Sequence, residues 1–360
     1  MNKSLKQFLR LLWQSVVFWT FAMFCYAIFR FYGMDQEVNF AIKKGFEGSS
    51  TLAEPILALC SMGFGLGVLY ALVDFLFEKY MPKTVSLGLN LLIKMGLYFV
   101  VTIFIVTAVV TAASNILSFD IDLKPGWWIG DKRFWSAFFY IIVFSFVFSF
   151  VKIATEKFGK GVFLKMLLGK YKNPKEEKRI FMFLDLKDST TIAEQLGHFK
   201  YSQLIQDCFY DLNEVVPKYD AEIYQYVGDE AVLSWPYKKG LANTNCVSLF
   251  FAFQQQKLAR AEYYSEKYGI VPQFKAGLHG GILMVAEVGI VKKELAYHGD
   301  VINTSARIQG ECNKNKVPIL ISEALLKDLR MDNYYSSTYI GAVMLKGKHE
   351  RINIHTLIET

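Results

Sequence analysis

Two aspartates that follow predicted strands are the residues of this sequence best suited to chemistry. Asp185 ends the apolar run 180–184, which has the composition of a short buried strand, and a predicted helix begins directly afterwards. Asp229 lies in a Gly-Asp turn between two further strand-like segments, 221–227 and 231–235. Each aspartate alone is an ordinary turn residue. If the hairpin pairs with the first strand, however, the two carboxylates approach each other, and their repulsion predicts a pair of Mg²⁺ ions of the kind that holds a transferring phosphoryl group.

The elements that would position these aspartates are strands and helices interleaved over the second half of the chain. We predict helices at 190–196, 201–219, 243–268, 301–312 and 322–329, and strands at 180–184, 221–227, 231–235, 273–278, 282–288, 317–321, 339–345 and 353–357. Because hairpins are mixed with helices, the expected class is α+β with a central, mostly antiparallel sheet. His279 lies between two of these strands and is expected to be a structural hydrogen-bond donor, since a lone histidine on a strand is more often structural than a ligand.

Two later clusters carry groups that suit a phosphate. Asn303 and Arg307 are four residues apart on a predicted helix, so they share one face, and a guanidinium pairs well with a phosphate. Lys346 and Lys348 flank Gly347 in a turn after a strand, where they could meet a polyphosphate. Taken separately, each cluster is more simply a solvated surface.

Apolar side chains are concentrated in the first 155 residues of a 360-residue chain whose hydrophobic content is 53%. Apolar stretches of about the length that crosses a hydrocarbon core lie at 11–29, 55–77, 87–113 and 134–154. We therefore predict an all-α transmembrane domain of four helices at 1–154. Basic residues precede the first stretch, separate the second from the third and follow the fourth. This pattern predicts that the N-terminus and the C-terminal half are both cytoplasmic, in a multi-pass inner or plasma membrane protein.

Two features inside these stretches go beyond simple anchoring. Asp74 and Lys94 would lie toward the cytoplasmic side of the second and third spans, where they either pair with each other or extend to the interface. The small residues between Ser61 and Gly67 would let helices approach closely, within a bundle or at an oligomer face. The 5 cysteines have no CxxC spacing, so neither a zinc site nor a disulfide framework is indicated.

A basic segment joins the two halves. Residues 152–179 contain nine lysines and arginines against three glutamates, which accounts for much of the net charge of +7. Apolar residues recur at helical spacing between Val162 and Leu167, which predicts an amphipathic linker helix at 155–177 in contact with anionic lipid headgroups. The catalytic domain is then expected at 178–360.

The second half of the chain, from about residue 178 to 358, resembles the catalytic domain of class III adenylyl and guanylyl cyclases. Five ordered pieces carry this resemblance: Phe-Leu-Asp-Leu at 183–186, Gly-Asp at 228–229, Gly-Leu-His-Gly-Gly at 277–281, the segment 299–307, and Lys-Gly-Lys at 346–348. The resemblance implies a ferredoxin-like, palm-type cyclase domain that works as a head-to-tail homodimer, with its active sites at the interface.

The resemblance also implies a role for each of six residues. Asp185 and Asp229 would bind two Mg²⁺ or Mn²⁺ ions with help from the Leu186 carbonyl, Asn303 and Arg307 of the partner chain would orient the ribose and stabilise the pentavalent phosphorus, and Lys346 would hold the terminal phosphates. The implied reaction is attack of the ribose 3′-hydroxyl on the α-phosphate of a nucleoside triphosphate. It yields a 3′,5′-cyclic nucleotide and pyrophosphate, and it needs no dedicated side-chain base.

The sequence departs from the family pattern at three positions. Asp188 stands where the family usually has the glycine of Gly-Phe-Thr, which adds a carboxylate near the metal ions. The two positions that read the base align with Gln225 and Ala296, and neither is typical of adenylyl or guanylyl cyclases. Glutamine both donates and accepts and alanine does neither, so the base stays open, with ATP favoured over GTP or a pyrimidine nucleotide.

Three other interpretations compete with a nucleotidyl cyclase. A diguanylate cyclase would share a two-metal palm, but residues 227–231 lack its Gly-Gly-Asp/Glu-Glu-Phe turn. A catalytically inert nucleotide-binding signalling protein would be expected to have lost some of the metal and phosphate residues. A small membrane transporter would need polar residues along its spans, where only Asp74 and Lys94 qualify. The expected partners are a nucleoside triphosphate, the membrane and a second copy of the chain, and no nucleic acid.

Overall fold

The computed structural model describes residues 3–33, 53–80, 87–117, 129–130, 132–158, 162–291, 293–330, 334–344 and 350–360. The chain divides into two compact units, residues 1–153 and 154–360. The first unit is helical in its described part. The second combines strands with helices and contains the predicted chemistry.

The helical unit contains four described helices: α1 (Lys3–Gly33), α2 (Ala53–Tyr80), α3 (Leu87–Leu117) and α4 (Lys132–Phe158). The first two contain 19-residue apolar stretches, Leu11–Phe29 and Leu59–Phe77, which are long enough to cross a hydrocarbon core. The apolar stretches of α3 and α4 are shorter, Leu92–Ala108 and Trp135–Val151. Two membrane-spanning helices are therefore supported by length and composition, and the four-span arrangement stays a prediction.

Close packing of α1 against α2 depends on glycine. A Cβ atom at Gly63 would lie 2.6 Å from the backbone oxygen of Trp19, and one at Gly67 would lie 2.6 Å from Val16 Cα. Any larger residue would therefore force the two helices apart. The predicted close approach at this small-residue stretch is confirmed, and it lies within the helical unit.

The predicted pairing of Asp74 with Lys94 is also confirmed. Lys94 Nζ lies 2.9 Å from Asp74 Oδ1, across the contact between α2 and α3. The Tyr98 hydroxyl donates a hydrogen bond to the same carboxylate at 2.7 Å. Asp74 is only 3% exposed, so this carboxylate is held inside the bundle by a cation and a hydroxyl and does not extend to an interface.

The second unit is built on one sheet of eight strands with helices packed against it. Its strands are β1 (Lys175–Leu186), β2 (Glu222–Val227), β3 (Glu230–Pro236), β4 (Phe274–Val288), β5 (Glu294–His298), β6 (Ile319–Ser322), β7 (Tyr335–Met344) and β8 (Arg351–Glu359). Its α-helices are α5 (Val162–Leu167), α6 (Ser189–Val215), α7 (Tyr237–Leu241), α8 (Asn245–Leu258), α9 (Ala261–Tyr268), α10 (Asp300–Asn315) and α11 (Glu323–Asp328).

The strands lie in the order β2-β3-β1-β4-β6-β8-β7, and β5 pairs with β4. Only β4 and β6 run parallel; the other pairs are antiparallel. The predicted α+β class with a mostly antiparallel sheet is therefore confirmed. The centre of the sheet is β1, and residues Ile180–Leu184 are buried on both faces, as their continuous apolar run predicts.

The predicted pair of strands around His279 is wrong, because β4 is a single strand of 15 residues. Gly280 and Gly281 stay in register with Ile180 and Arg179 of β1 and make no turn. A Cβ atom at Gly280 would lie 2.7 Å from the Tyr237 ring, so glycine serves close packing here. The expected structural role of His279 fits the geometry, because its Nδ1 lies 2.7 Å from the Ser322 hydroxyl and ties β4 to β6.

Two further elements of the structure differ from the prediction, because the residue composition of their segments does not indicate them. The predicted helix 243–268 is two helices, because α8 ends at Leu258 and the chain turns at Arg260, which forms an ion pair with the buried Asp211 of α6. Strand β5 was not predicted, since its Glu-Leu-Ala sequence favours helix, and pairing with the end of β4 decides its conformation. The predicted break at Gly197 within α6 is confirmed, with φ of 70°.

Candidate active site

Asp185 lies near the end of β1, which is the middle strand of three neighbours, β3, β1 and β4. The hairpin β2–β3 pairs with β1 on one side and β4 pairs with it on the other. In this register Asp185 lies directly across from Glu230 on β3 and from Lys275 on β4. The condition that brings Asp185 and Asp229 together, pairing of the hairpin with the first strand, is therefore met.

Two side chains bind the Asp185 carboxylate. Lys275 Nζ lies 3.1 Å from Asp185 Oδ2. Gln309, on α10, donates a hydrogen bond from Nε2 to the same oxygen at 3.0 Å. The carboxylate is therefore held in place by a cation from the sheet and an amide from the helix that covers it.

Asp229 contributes a second carboxylate, in a different environment. Its Oδ2 is buried and has no hydrogen-bond partner among the described residues. Burial raises the pKa of the Asp185 carboxyl; Lys275 opposes this rise, and the negative charge of Asp229 adds to it. A buried acceptor without a donor, next to a second carboxylate, is costly unless a cation completes the site.

A third carboxyl group belongs to Glu230. Burial, together with the charges of Asp185 and Asp229, raises its pKa to about 7, while Lys275 opposes the shift. Asp188 is exposed in the turn before α6, where it adopts a left-handed conformation with φ of 56°. This backbone conformation explains why glycine suits the position, and why aspartate, which tolerates it, can replace glycine there.

The residues present fit divalent cations. Asp185 and Asp229 supply oxygen ligands, and Leu186, buried at the end of β1, offers a backbone carbonyl beside them. Among the described residues, no three His, Cys, Asp or Glu side chains form a closed metal cage. An open site of few carboxylates is the arrangement that Mg²⁺ uses when water and substrate phosphates complete its shell.

Asn303 and Arg307 lie on α10, on the side away from Asp185. Gln309 touches Asp185, and Arg307 precedes it by two residues, which is about 200° around a helix. Asn303 is exposed and Arg307 is half-buried. The structure thus keeps Asn303 and Arg307 on one face but does not bring them to the carboxylates of their own chain.

Gln225 and Ala296 lie next to a contact between β2 and β5. The neighbouring rings of Tyr224 and Tyr297 touch, with centroids 4.8 Å apart, although the two strands do not pair. Gln225 is exposed and Ala296 is half-buried. The two positions are therefore close neighbours of a single aromatic contact. Lys346, the last of the predicted site residues along the chain, lies outside the described residues.

Sequence reasoning missed Lys275, Gln309 and Glu230. Glu230 directly follows Asp229, so the chain itself could have indicated a third acid. Lys275 and Gln309 carry no such signal, because their contact with Asp185 depends on the β1–β4 register and on the packing of α10. Both are polar side chains at the edges of apolar segments, which is an ordinary surface pattern.

Comparison with known proteins places this site in a family. Residues 171–359, more than half of the chain, match the family described as the adenylate and guanylate cyclase catalytic domain. Adenylate cyclase 2 of Rhizobium meliloti is 36% identical over 208 residues, which are 58% of this chain and 57% of that protein. An adenylate cyclase of Anabaena cylindrica is 25% identical over 182 residues, or 48% of this chain and 35% of that protein.

The fold has solved relatives as well. The structure of a bacterial light-regulated adenylyl cyclase covers 60% of this chain and 64% of its own, with a TM-score of 0.50 at 16% identity. The chain spans 57% or less of the length of these curated relatives, so the match concerns the catalytic unit. On the strength of that match, the chain belongs to the adenylate and guanylate cyclase catalytic-domain family, which is the class III nucleotidyl cyclases.

Proposed function

We propose that this protein is a membrane-anchored nucleotidyl cyclase that converts a nucleoside triphosphate, with ATP favoured, to a 3′,5′-cyclic nucleotide and pyrophosphate. The observation that carries the proposal is the pair Asp185 and Asp229, in which Lys275 binds Asp185 and a buried oxygen of the neighbouring Asp229 has no donor among the described residues. Two divalent cations, Mg²⁺ or Mn²⁺, fit this need, held by the two aspartates and the Leu186 carbonyl. When bound, they would supply a lowered hydroxyl pKa and neutralisation of the triphosphate charge.

The chain's own residues would then position the reactants. Lys275, beside Asp185, is placed to exchange this carboxylate for phosphate oxygens once cations neutralise the acid. In the reaction, the ribose 3′-oxygen forms a bond to the α-phosphorus, and the bond from that phosphorus to the bridging oxygen breaks. Pyrophosphate leaves with the electron pair, and the proton of the hydroxyl passes to solvent.

We infer that the active site is completed by a second copy of the chain. Asn303 and Arg307 face away from the carboxylates of their own chain, so a homodimer that places one chain's α10 against the other's β1 would unite the two halves. Arg307 would then stabilise negative charge on the phosphorus, and Asn303 would orient the ribose. Lys346 is proposed to hold the terminal phosphates.

The favoured base is adenine. ATP is supported by the names of the Rhizobium and Anabaena relatives, which are adenylate cyclases. Gln225 and Ala296 are the proposed base-reading positions. A glutamine accepts or donates equally well, so this side chain accommodates either purine.

Membrane anchoring rests on the helical unit. The apolar stretches of α1 and α2 are long enough to span a bilayer, and we propose that α3 and α4 span it with them. The distribution of basic residues puts both termini on the cytoplasmic side.

The experiment that tests the proposed function is product analysis of the purified full-length protein. The protein in detergent, with Mg²⁺ or Mn²⁺, is given ATP, GTP, CTP and UTP separately, and cyclic products are identified by mass. We expect one dominant cyclic nucleotide together with pyrophosphate, and none from Asp229→Asn. Nucleotide binding without any product from the four substrates would favour the inert signalling protein instead.

A further inference from the structure

A cavity of about 560 Å³ lies inside the helical unit, lined by residues of α2, α3 and α4. Most of its wall is aromatic and aliphatic, as at Phe99, Phe138 and Ile142. Its volume is within the range of small-molecule sites, which combine an apolar wall with a few convergent polar groups. The cyclase reaction gives this cavity no role.

Four polar residues that line the cavity form one cluster on α2 and α3, apart from Ser145 and Ser149 of α4. Lys94, Tyr98, Tyr70 and Thr102 all line it. The Tyr70 hydroxyl lies 2.6 Å from Thr102 Oγ1, and the Tyr98 hydroxyl donates to Asp74, which also pairs with Lys94. One side of an otherwise apolar chamber therefore carries fixed hydroxyls and an ammonium group.

Of the two charged groups in the ion pair, the Lys94 ammonium faces the cavity and the Asp74 carboxylate does not. The Lys94 side chain is 21% exposed, against 5% for Asp74, and Asp74 does not line the cavity. An ammonium carries three donors, and the ion pair with Asp74 uses one of them. Lys94 is thus placed to donate to an acceptor on a bound molecule.

The charge of this cluster selects the kind of acceptor. Lys94 and Asp74 together are neutral, so an anionic head would leave a net negative charge in apolar surroundings, which is costly. A carbonyl oxygen accepts from Lys94 and leaves the total charge at zero. We propose that the cavity binds a neutral, lipophilic molecule whose carbonyl oxygen accepts a hydrogen bond from Lys94 and whose apolar body packs between α3 and α4.

Two kinds of molecule carry such a carbonyl on an apolar body: a ring dione that resides in the membrane and an acyl ketone that diffuses into it. The test uses the purified full-length protein in dodecyl maltoside, a detergent without a carbonyl group. The probes are decylbenzoquinone and decyl methyl ketone, with dodecane and dodecanoate as probes that lack the neutral carbonyl. Binding is read as a saturable rise of Tm with probe concentration and, for stoichiometry, by native mass spectrometry.

We expect at least one carbonyl probe to raise Tm saturably, and dodecane and dodecanoate to bind about tenfold or more weakly. Stronger binding of the quinone would assign the ring dione, and stronger binding of the ketone the acyl compound. A saturable rise with dodecanoate and none with the ketone or quinone would overturn the neutral-ligand assignment. No saturable rise with either carbonyl probe would overturn the proposal as a whole.

Neighbouring residues on α4 supply a matched pair of variants. Ile142 lines the cavity, whereas Val143 is 59% exposed on the outer side of the helix. Ile142→Trp is expected to abolish the Tm rise, and Val143→Trp to keep it. Ser145→Leu, which also fills the cavity, serves if Ile142→Trp does not fold. Equal ligand-induced shifts in a folded filling variant and in Val143→Trp would show that the cavity is not the site.

The role of Lys94 needs a variant that leaves no buried charge unpaired. Asp74→Asn combined with Lys94→Met removes both charges and the ammonium donors while keeping the apolar stem. We expect its affinity for the carbonyl probe to fall by about tenfold or more, the effect of losing a hydrogen bond to a charged donor. Undiminished affinity in this variant would contradict the assignment. The binding readouts do not require turnover, so failure here would leave the proposed cyclase reaction untouched.

Discussion

Asp185 and Asp229 are expected to be equally necessary for turnover and to differ in their effect on stability. Asp229→Asn should relieve repulsion around a buried oxygen that has no hydrogen-bond partner in the described part of the chain, so the metal-free protein should unfold at the same Tm or higher. Asp185→Asn removes the same repulsion but also takes the charged acceptor from Lys275 and Gln309, so it should be less stable than Asp229→Asn by about 1–2 kcal/mol. Turnover should fall by about a hundredfold or more in both.

The measurement is Tm without metal, followed by turnover with Mg²⁺, for both variants. Asp220→Asn is the matched control, since Asp220 is an exposed turn acid that precedes the same hairpin. Its Tm and turnover should match those of the wild type. A marked loss of Tm in Asp229→Asn would show that its carboxylate has a stabilising partner and would remove the main support for a cation there.

Glu230 gives the metal-free protein a specific pH dependence. Its pKa is about 7 in the folded chain, against an ordinary value of 4.5. A carboxyl group that holds its proton more tightly when folded stabilises the fold below about pH 4.5, and this contribution is lost as the pH rises through 7. We expect the protection of β1 and β3 amides, corrected for intrinsic exchange, to fall across this interval.

Glu230→Gln isolates that contribution, because glutamine keeps the shape and cannot titrate. Hydrogen exchange of β1 and β3 in the variant should show a flatter pH profile than in the wild type. Identical profiles would mean that another group sets the dependence. Adding Mg²⁺ to the wild type should also flatten it, since a bound cation favours the charged carboxylates.

At the residue scale, the sequence revealed the acids but not their partners. The strand-end position of Asp185 and the Gly-Asp turn at Asp229 are local patterns, which can be recognised from the sequence alone. The contacts of Lys275 and Gln309 depend on register and helix packing, which no window of sequence contains. A pKa of about 7 at Glu230 likewise depends on burial and on two other charges.

Helix α10 carries Asn303 and Arg307, and its close approach to the sheet depends on glycines of β4, most of all on Gly277. A Cβ atom at Gly277 on β4 would lie 2.2 Å from the backbone nitrogen of Gln309. Gly277→Ala should therefore displace α10, together with Asn303 and Arg307, and cost about 1–3 kcal/mol or more. Turnover should be lost with it, as measured by cyclic product formed per chain.

Gly310 on the same helix is the control for Gly277. A Cβ atom there meets no described atom of the same chain within 4 Å, so Gly310→Ala should stabilise the helix by up to about 1 kcal/mol. If Gly277→Ala were as stable as Gly310→Ala, the close approach of α10 to β4 would not constrain the position of the helix.

Strand β1 is tied to its neighbours by a buried arginine near its start. Arg179, whose side chain is 3% exposed, pairs with Glu177 at 3.2 Å and with Glu222 of β2, and donates to Ser234 of β3 at 2.9 Å. Arg179→Met should cost about 3–5 kcal/mol, because it removes the cation that pairs with Glu222 and leaves Glu177 with Lys170 alone. Hydrogen exchange of the slowest β1 amides would report this loss.

Lys178→Met is the control for Arg179→Met, because it removes a positive charge from the neighbouring exposed position. The Lys178 side chain is 51% exposed and only 3.6 Å from Asp328, so Lys178→Met should cost about 1 kcal/mol or less. Similar slow-exchange rates in the two variants would contradict the stabilising role of the buried arginine. Both variants place the same residue, methionine, in β1, and neither substitution lies at the proposed metal site.

Element boundaries show what periodicity and composition miss. The hairpin β2–β3 and the break at Gly197 were predicted correctly, because turn chemistry marks both. The glycines at 280 and 281 predict a turn between two strands, whereas in the structure they allow close packing within the single strand β4. The break between α8 and α9 has no glycine or proline to mark it, and an ion pair with Asp211 accompanies it.

The whole molecule is expected to need two chains for each active site. Asp185→Ala removes a metal ligand from one half of the site, and Arg307→Ala removes a phosphate ligand from the other half. Each homodimer of one variant should be inactive, because both of its sites lack the same group. In a mixed dimer, one site lacks both groups and the other is whole, which follows from the two-fold symmetry of the assembly.

The recovered activity can be calculated from the fraction of mixed dimers. If the two variants mix at random in equal amounts, half of the dimers are mixed and each has one whole site, so activity should recover to about a quarter of the wild type. The variants are co-expressed with different affinity tags, mixed dimers are isolated through both tags, and cyclic product is measured per dimer. Isolated mixed dimers should reach about half of the wild-type activity, because one of two sites is whole. Mixed dimers that are folded and inactive would show that Asp185 and Arg307 act in the same chain, and the face of α10 that carries Asn303 and Arg307 would then need another explanation.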